Sequence, residues 1–284
     1  DYAQDVSISD NILKQVSDAY RRFRNTFRFL LGNLSDFDDQ ANAISNWDDL
    51  EPIDQYMMAK TAQLLADVEQ AYDSFKFNGV YRAVYDLYMD VTKDRLYSES
   101  PDSPRRRAVQ TVLFNILEVL VRVLSPILSF TADEVWECYP EAMRNREGRV
   151  GNVQLAGWPH RSDFVPALPG KAAEDKVLAA FGGALEVRDA VTKALEDARG
   201  AKVINKSQEA IVSVTAPQAT LDALSVFDAS VFEELFIVSG VTFAAGDELV
   251  CEVKPAEGDK CPRCWNYREL GGNANHADVC QRCG

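Results

Sequence analysis

Histidine is almost missing from this chain: His160 and His276 are the two present in 284 residues. That scarcity leaves no convincing Ser-His-Asp arrangement for nucleophilic hydrolysis. Also missing are a phosphate-cradling G-x-x-x-x-G-K-[ST] loop and a dinucleotide-binding G-x-G-x-x-G. No apolar run reaches the roughly 18 residues of a membrane-spanning helix. The opening residues Asp1-Tyr2-Ala3-Gln4-Asp5 hold neither Met nor a signal-peptide pattern, and read as a cut through a longer chain. Internal repeats and low-complexity tracts are absent. Asp/Glu pairs are numerous, but sequence alone gives none of them a cleft. The absences leave a binding region rather than a catalytic one.

Net charge is −14, with 30 basic and 44 acidic residues, so the chain is no generic binder of polyanions. Half of the excess lies in residues 35–54, where Asp36, Asp38, Asp39, Asp48, Asp49, Glu51 and Asp54 meet no Lys or Arg. Local basic islands stand against it: Arg21, Arg22, Arg24 and Arg28, then Arg105-Arg106-Arg107. Each island reads either as a solvated helix face or as a docking point for nucleic acid, where local sign matters more than the total.

Of six cysteines, four close the chain as Cys261-Pro262-Arg263-Cys264 and Cys280-Gln281-Arg282-Cys283, a C-x2-C-x15-C-x2-C pattern. Two sulfurs on one tight turn can face one ion, and a second turn completes a tetrahedron with Zn–S distances of about 2.3 Å. The competing readings are two disulfides, or His276 in place of one cysteine. A closed four-thiolate site has no open position for water or substrate, so it performs no chemistry. Its neighbours Trp265, Arg263 and Arg282 must carry any function. Trp265 is placed either to cover the metal or to stack on an unpaired base. Cys138 and Cys251 are expected to be buried free thiols, which fits a reducing, cytoplasmic compartment.

Along the chain, Ser7 or Ser9 caps a first helix ending at Gly32, with Ile12, Val16, Ala19, Phe23, Phe27 and Leu30 at the helical period. Arg21, Arg24 and Arg28 share another stripe, suited to phosphates or to carboxylates elsewhere in the bundle. Pro52 opens a second helix running to about Phe75. Asn78-Gly79 breaks the chain or caps a third helix, which carries Val80, Val84, Leu87 and Val91. The fourth helix, about 104–125, is the most apolar and is expected at the centre of a bundle. Thr131-Ala132-Asp133-Glu134 has the form of a capping box before Trp136. A helix from Lys171 to about Arg199 follows an irregular Gly/Pro stretch that includes His160, expected at the surface. Beyond it, Ala210–Val214, Phe236–Val238 and Glu248–Val253 read as strands, and Leu221–Phe227 and Ser230–Leu235 as short helices. The fold class is therefore mainly α. A helical bundle (1–140) and a linker (141–170) precede a small α+β domain (171–257) and a four-cysteine zinc-binding module (258–284).

The assembled residues resemble the C-terminal part of bacterial isoleucyl-tRNA synthetases. Residues 20–34 are similar to the family's Y-R-x-x-R-N-T-x-R-F-L-L-G-N-L, and Lys93-Asp94-Arg95-Leu96-Tyr97 to its K-D-R-L-Y helix end. Ser125 to Trp136 resembles A-P-I-L-x-F-T-A-E-E-x-W. These three have relatives in valyl and leucyl enzymes, whereas the closing Cys-x-x-Cys-Trp and Cys-x-x-Cys pair is more specific. Two departures stand out: Ile204-Asn205-Lys206-Ser207 stands where I-G-K-S is usual, and the sequence stops one residue after Cys283, where many members continue with a basic tail. The resemblance implies an anticodon-binding bundle, a junction domain and a zinc module that together grip the anticodon stem-loop of isoleucine tRNA. It implies one structural Zn2+ on Cys261, Cys264, Cys280 and Cys283, with Arg263 and Trp265 next to the anticodon loop and Arg21, Arg24 and Arg28 as further RNA contacts. The implied partners are that tRNA and the catalytic and editing domains of the same parent chain, in a monomer free of membranes. ATP would be used only in those distant domains, whose H-x-G-H and K-M-S-K-S signatures are not found here. The alternative is a zinc-stabilised protein-interaction scaffold that never touches RNA.

Overall fold

The computed structural model describes residue 5 and residues 7–74, 86–272 and 276–284. Nine α-helices occur among them: α1 (Asp10–Asn33), α2 (Pro52–Asp73), α3 (Asp86–Ser98), α4 (Pro104–Leu124), α5 (Ser129–Glu137), α6 (Glu141–Arg144), α7 (Lys171–Gly200), α8 (Gln218–Leu224) and α9 (Ala229–Phe236). The strands are β1 (Ala210–Ala216), β2 (Gly240–Ala245) and β3 (Val250–Pro255). No helix among the described residues is long and apolar enough to cross a membrane. Phe75, the break at Asn78-Gly79 and the Val80 and Val84 positions of the third helix lie outside the described residues, as does the side chain of Leu87.

Two compact units form, and neither is continuous in sequence: residues 1–85 with 107–170, and residues 86–106 with 171–284. Among the described residues the first holds helices and no strand. Ser9 caps α1 by accepting from the Ile12 N–H, which satisfies one of the orphan donors of the first turn. Phe23, Phe27 and Leu30 are buried, while Ile12 and Val16, expected on the same inward stripe, are exposed. The stripe is real, but packing covers it only from Phe23 onward. Within this unit α4 is buried on nearly every face, through Val109, Val112, Leu113, Ile116, Leu117 and Leu120. Its buried polar groups are satisfied, as interior polar groups must be. Gln110 donates to Asn33 O and to Asp36 Oδ1, each at 2.8 Å. Asn115 donates to Val165 O at 2.6 Å and accepts from its N–H at 3.0 Å. The acidic tract is stitched to this bundle by Arg107 on Asp36 and Arg146 on Asp39.

Two expectations here are corrected. The helix at Trp136 begins at Ser129 with Leu128 as its cap, and no side chain caps it. Thr131 and Glu134 are engaged by α1 instead: Tyr20 bonds the Thr131 hydroxyl, and Arg24 grips Glu134. Cys138 is exposed rather than buried, since it is the C-cap of that helix.

The second unit packs α7, α8 and α9 around a sheet of order β2-β1-β3. Strand β1 runs parallel to β2 (Val212↔Val241) and antiparallel to β3 (Val212↔Val253). It is the interior strand, and Ala210, Val212, Val214 and Ala216 alternate inward with period two. From α7, Phe181, Ala184, Val187, Val191 and Leu195 are buried. Phe232 of α9 meets Phe243 of β2 edge to face at 4.9 Å. The Phe236–Val238 run is not a strand. Phe236 ends α9, and Ile237 takes a left-handed conformation (φ 59°) that stops the helix. The pairing strand is Gly240–Ala245 instead. Cys251 is half-buried, in contrast to the expected buried thiol, because it lies on edge strand β3.

Candidate metal centre and its exposed rim

The residues after β3 have almost no apolar side chain to bury. Their core consists of Cys261, Cys264 and Cys280, with Leu270, Val279 and Cys283 packed around them. Backbone bonds shape the first knuckle: the Trp265 N–H donates to Cys261 O at 2.9 Å, and the Cys261 N–H to Asn266 O at 3.0 Å. The second turn is closed by the Cys283 N–H on Cys280 O at 2.9 Å. The pairings Lys260↔Tyr267 and Leu270↔Cys280 frame the spacer.

The geometry brings all four sulfurs within 4.8 Å of one another. Cys264 Sγ and Cys280 Sγ are 3.8 Å apart. A tetrahedron with bonds of about 2.3 Å has edges of about 3.8 Å, so the sulfurs fit one ion. They do not fit two disulfides, which need about 2.05 Å; all six cysteines are free. His276 is exposed and lies outside the cluster.

Charge points the same way. Burial alone would raise the Cys261 thiol, but N–H groups of Cys264, Cys280 and Arg263 outweigh it and bring it down to about 6. Burial pushes the Cys283 thiol up, and the neighbouring Cys264 adds to the shift. A divalent cation is what would allow all four to be thiolates together. Arg282 pairs with Asp94 at 2.5 Å, while its Nε and Nη2 are buried with no hydrogen-bond partner. Those donors lie in the field of Cys264 and Cys283. A four-thiolate site holding a dication carries net charge −2, which a buried guanidinium complements.

Gly272 shows how tightly the turns approach. A Cβ there would lie 2.7 Å from Gln281 Cβ and 3.0 Å from its Cα, backbone that cannot swing away. Gly272→Ala is expected to displace the second knuckle and weaken metal affinity by about 5- to 150-fold, matching an overpacking cost of about 1–3 kcal/mol. Competition against a chromogenic chelator measures it, with an unaltered affinity counting against the geometry.

On the rim, Trp265 takes a left-handed conformation (φ 64°) unusual for a bulky residue. Its side of the knuckle faces outward, and the residue is 49 % exposed. Lys206 Nζ sits 4.1 Å from the centroid of its ring. Arg263 is also exposed, yet its Nε donates to Ser98 O at 2.6 Å.

The other expected cations lie on α1. Arg24 makes a two-pronged contact with Glu134 at 2.8 and 2.9 Å, and Arg21 pairs with Asp18. The bond to Arg24 holds the Glu134 carboxyl below its usual range. Arg28 is exposed and makes no ion pair among the described residues. All three belong to the first unit, whereas Arg263 and Trp265 belong to the second. The contacts of Asp94 with Arg282, Glu209 with Lys260, Ser239 with Tyr267 and Lys206 with Trp265 could not be read from the sequence, because each joins residues at least 28 positions apart.

Residues 54–215 match a family model described as "Anticodon-binding domain of tRNA ligase". Residues 258–283 match one described as "Zinc finger found in FPG and IleRS". Along its whole length the chain is 42 % identical to isoleucine–tRNA ligases of Geobacillus kaustophilus and Geobacillus thermodenitrificans. It is 38 % identical to that of Thermotoga maritima. It spans about a third of the length of these relatives: 32 %, 32 % and 31 %.

Proposed function

Since the chain belongs to the family of anticodon-binding domains of tRNA ligases, we propose that it grips the anticodon stem-loop of isoleucine tRNA on behalf of a cytoplasmic isoleucine–tRNA ligase. Domains elsewhere in that enzyme would activate isoleucine with ATP and edit misacylated products; this portion has no catalytic residue of its own. Zinc is the metal that the four cysteines would hold, and when bound it supplies a rigid clamp and no reaction.

The observation that carries the reading is Trp265: a large aromatic, nearly half exposed, on a strained backbone directly after a metal knuckle. Strain of that kind persists where surrounding structure enforces it, and it clusters at functional positions. An indole held out this way suits the face of an unpaired base, the usual target of sequence-specific RNA readers. The bundle, residues 1–140, would contact the same stem-loop. There Arg28 is better placed than Arg24 and Arg21, which Glu134 and Asp18 already engage.

Trp265→Ala is expected to weaken binding of an isoleucine anticodon stem-loop by about 5- to 150-fold, from a stacking contribution of roughly 1–3 kcal/mol. Fluorescence anisotropy with a labelled stem-loop measures it, alongside metal content and circular dichroism. An unchanged affinity in a folded, metal-loaded variant would favour a scaffold that makes no RNA contact.

A further inference from the structure

The loop that enters β1 brings a cation to the indole. The surrounding positive charges are mostly spoken for. Glu209 holds Lys260 at 3.2 Å, Glu233 holds Arg268 at 3.1 Å, and Asp94 holds Arg282 at 2.5 Å. Arg263 donates to a backbone carbonyl. Lys206 is exposed and makes no ion pair among the described residues. Its ammonium rests on the ring of Trp265, attracted by the negative face of the π-system.

This juxtaposition is built on both sides. Buried Ile204 anchors the loop. The Asn205 N–H donates to Glu209 Oε2 at 3.0 Å, and Lys260 reaches Oε1 of the same carboxylate at 3.2 Å. Those two contacts hold the Glu209 carboxyl below its usual range. A second tie runs through Ser239, whose hydroxyl donates to Gln208 O at 2.5 Å and accepts from the Tyr267 N–H at 2.7 Å. The loop carrying Lys206 and the module carrying Trp265 are thus fastened at two points.

We propose that Lys206 and Trp265 form one composite contact for a single unpaired nucleotide of RNA, in which the indole takes the base and the ammonium takes the adjoining phosphate. The proposal rests on the RNA-gripping reading above and adds a residue from outside the metal module. The two halves suit the two halves of a nucleotide. Aromatic stacking accepts any base, and a lysine is a point charge on a flexible stem that can swing from a ring face to a phosphate oxygen. In a chain of net charge −14, a local cation beside the aromatic is what lets a polyanion approach this rim.

The test is a titration of the metal-loaded protein with the isoleucine anticodon stem-loop across a salt series. Wild type, Lys206→Met, Lys206→Arg and Trp265→Ala are compared, with metal content checked for each. Lys206→Met keeps an apolar stem against the ring and removes the charge. Losing one phosphate contact should shrink the slope of log K against log salt by about 0.7, or about five-fold in affinity at 0.1 M salt. Lys206→Arg should retain both. Wild-type affinity and slope in Lys206→Met, with Trp265→Ala weakened, would overturn the composite contact and leave the RNA reading standing. Weakened binding at an unchanged slope would also overturn it, since Lys206 would then act only by packing. Wild-type binding by every variant would overturn the RNA reading itself.

Discussion

Chelating the metal should unfold the C-terminal module and leave the helices standing. Structural zinc in comparable peptides contributes about 10–16 kcal/mol, because binding and folding are one event. The module has nothing to fall back on. Its buried centre is three cysteines, with Leu270, Val279 and Cys283 packed against them, and its backbone pairing among the described residues is two isolated bridges. Thiol titration gives the cleanest readout. In the loaded protein exposed Cys138 reacts readily, and Cys251 follows more slowly because burial raises its thiol. After chelation the four module cysteines should react as readily as Cys138, with Cys251 on β3 still slower, and the emission of Trp265 should shift as the knuckle opens. The far-ultraviolet helical signal should barely change, since α1 to α9 lie outside residues 258–284. A loaded protein with six equally reactive thiols, or a chelated one with four still protected, would contradict this account.

Glu234→Gln should destabilise the second unit by about 3 kcal/mol. Arg95 is fully buried, and its Nε meets Glu234 Oε1 at 2.5 Å. Arg105 reaches the other oxygen at 3.2 Å and ties it to buried Glu99 at 2.7 Å. The substitution keeps the side-chain shape and deletes the negative charge opposite two guanidiniums. Breaking a buried pair from one side costs about 3–5 kcal/mol because the remaining charge stays desolvated. The lower figure applies here because Glu99 still compensates part of the charge through Arg105. Urea unfolding followed by tryptophan emission measures the loss. Replacing both partners, as Arg95→Met with Glu234→Leu, should recover much of it, as apolar replacements of buried pairs often do. A single substitution with an unmoved midpoint would show the pair to be dispensable.

The helical period revealed α1, α2, α4 and α7 to within a few residues, because each carries a stripe that must be buried whatever its partner is. Cysteine spacing revealed the metal cluster for a similar reason: two residues between sulfurs fixes a turn by itself. What stayed hidden depends on residues distant in sequence. The Thr131-x-x-Glu134 pattern was a sound local signal, yet Tyr20 and Arg24, 111 and 110 residues away, took both side chains. The apolar run at 236–238 suited a strand or a helix end equally, and only the turn at Ile237 decides. Asp94 and Arg282 are unremarkable apart and become a pair only across 188 positions. No spacing rule brings Lys206 to Trp265.

The interleaving of the two compact units has a practical consequence. Residues 86–106 belong with residues 171–284, although 64 residues separate them in sequence. An expression clone begun at Lys171, where the Gly/Pro stretch ends, would look like a tidy truncation. It would omit Arg95 opposite Glu234, Asp94 opposite Arg282 and the Ser98 carbonyl opposite Arg263. Such a fragment would leave Glu234 without the guanidiniums it faces and would present its metal turns without their moorings, so failure to bind RNA would report on the cut and not on the rim.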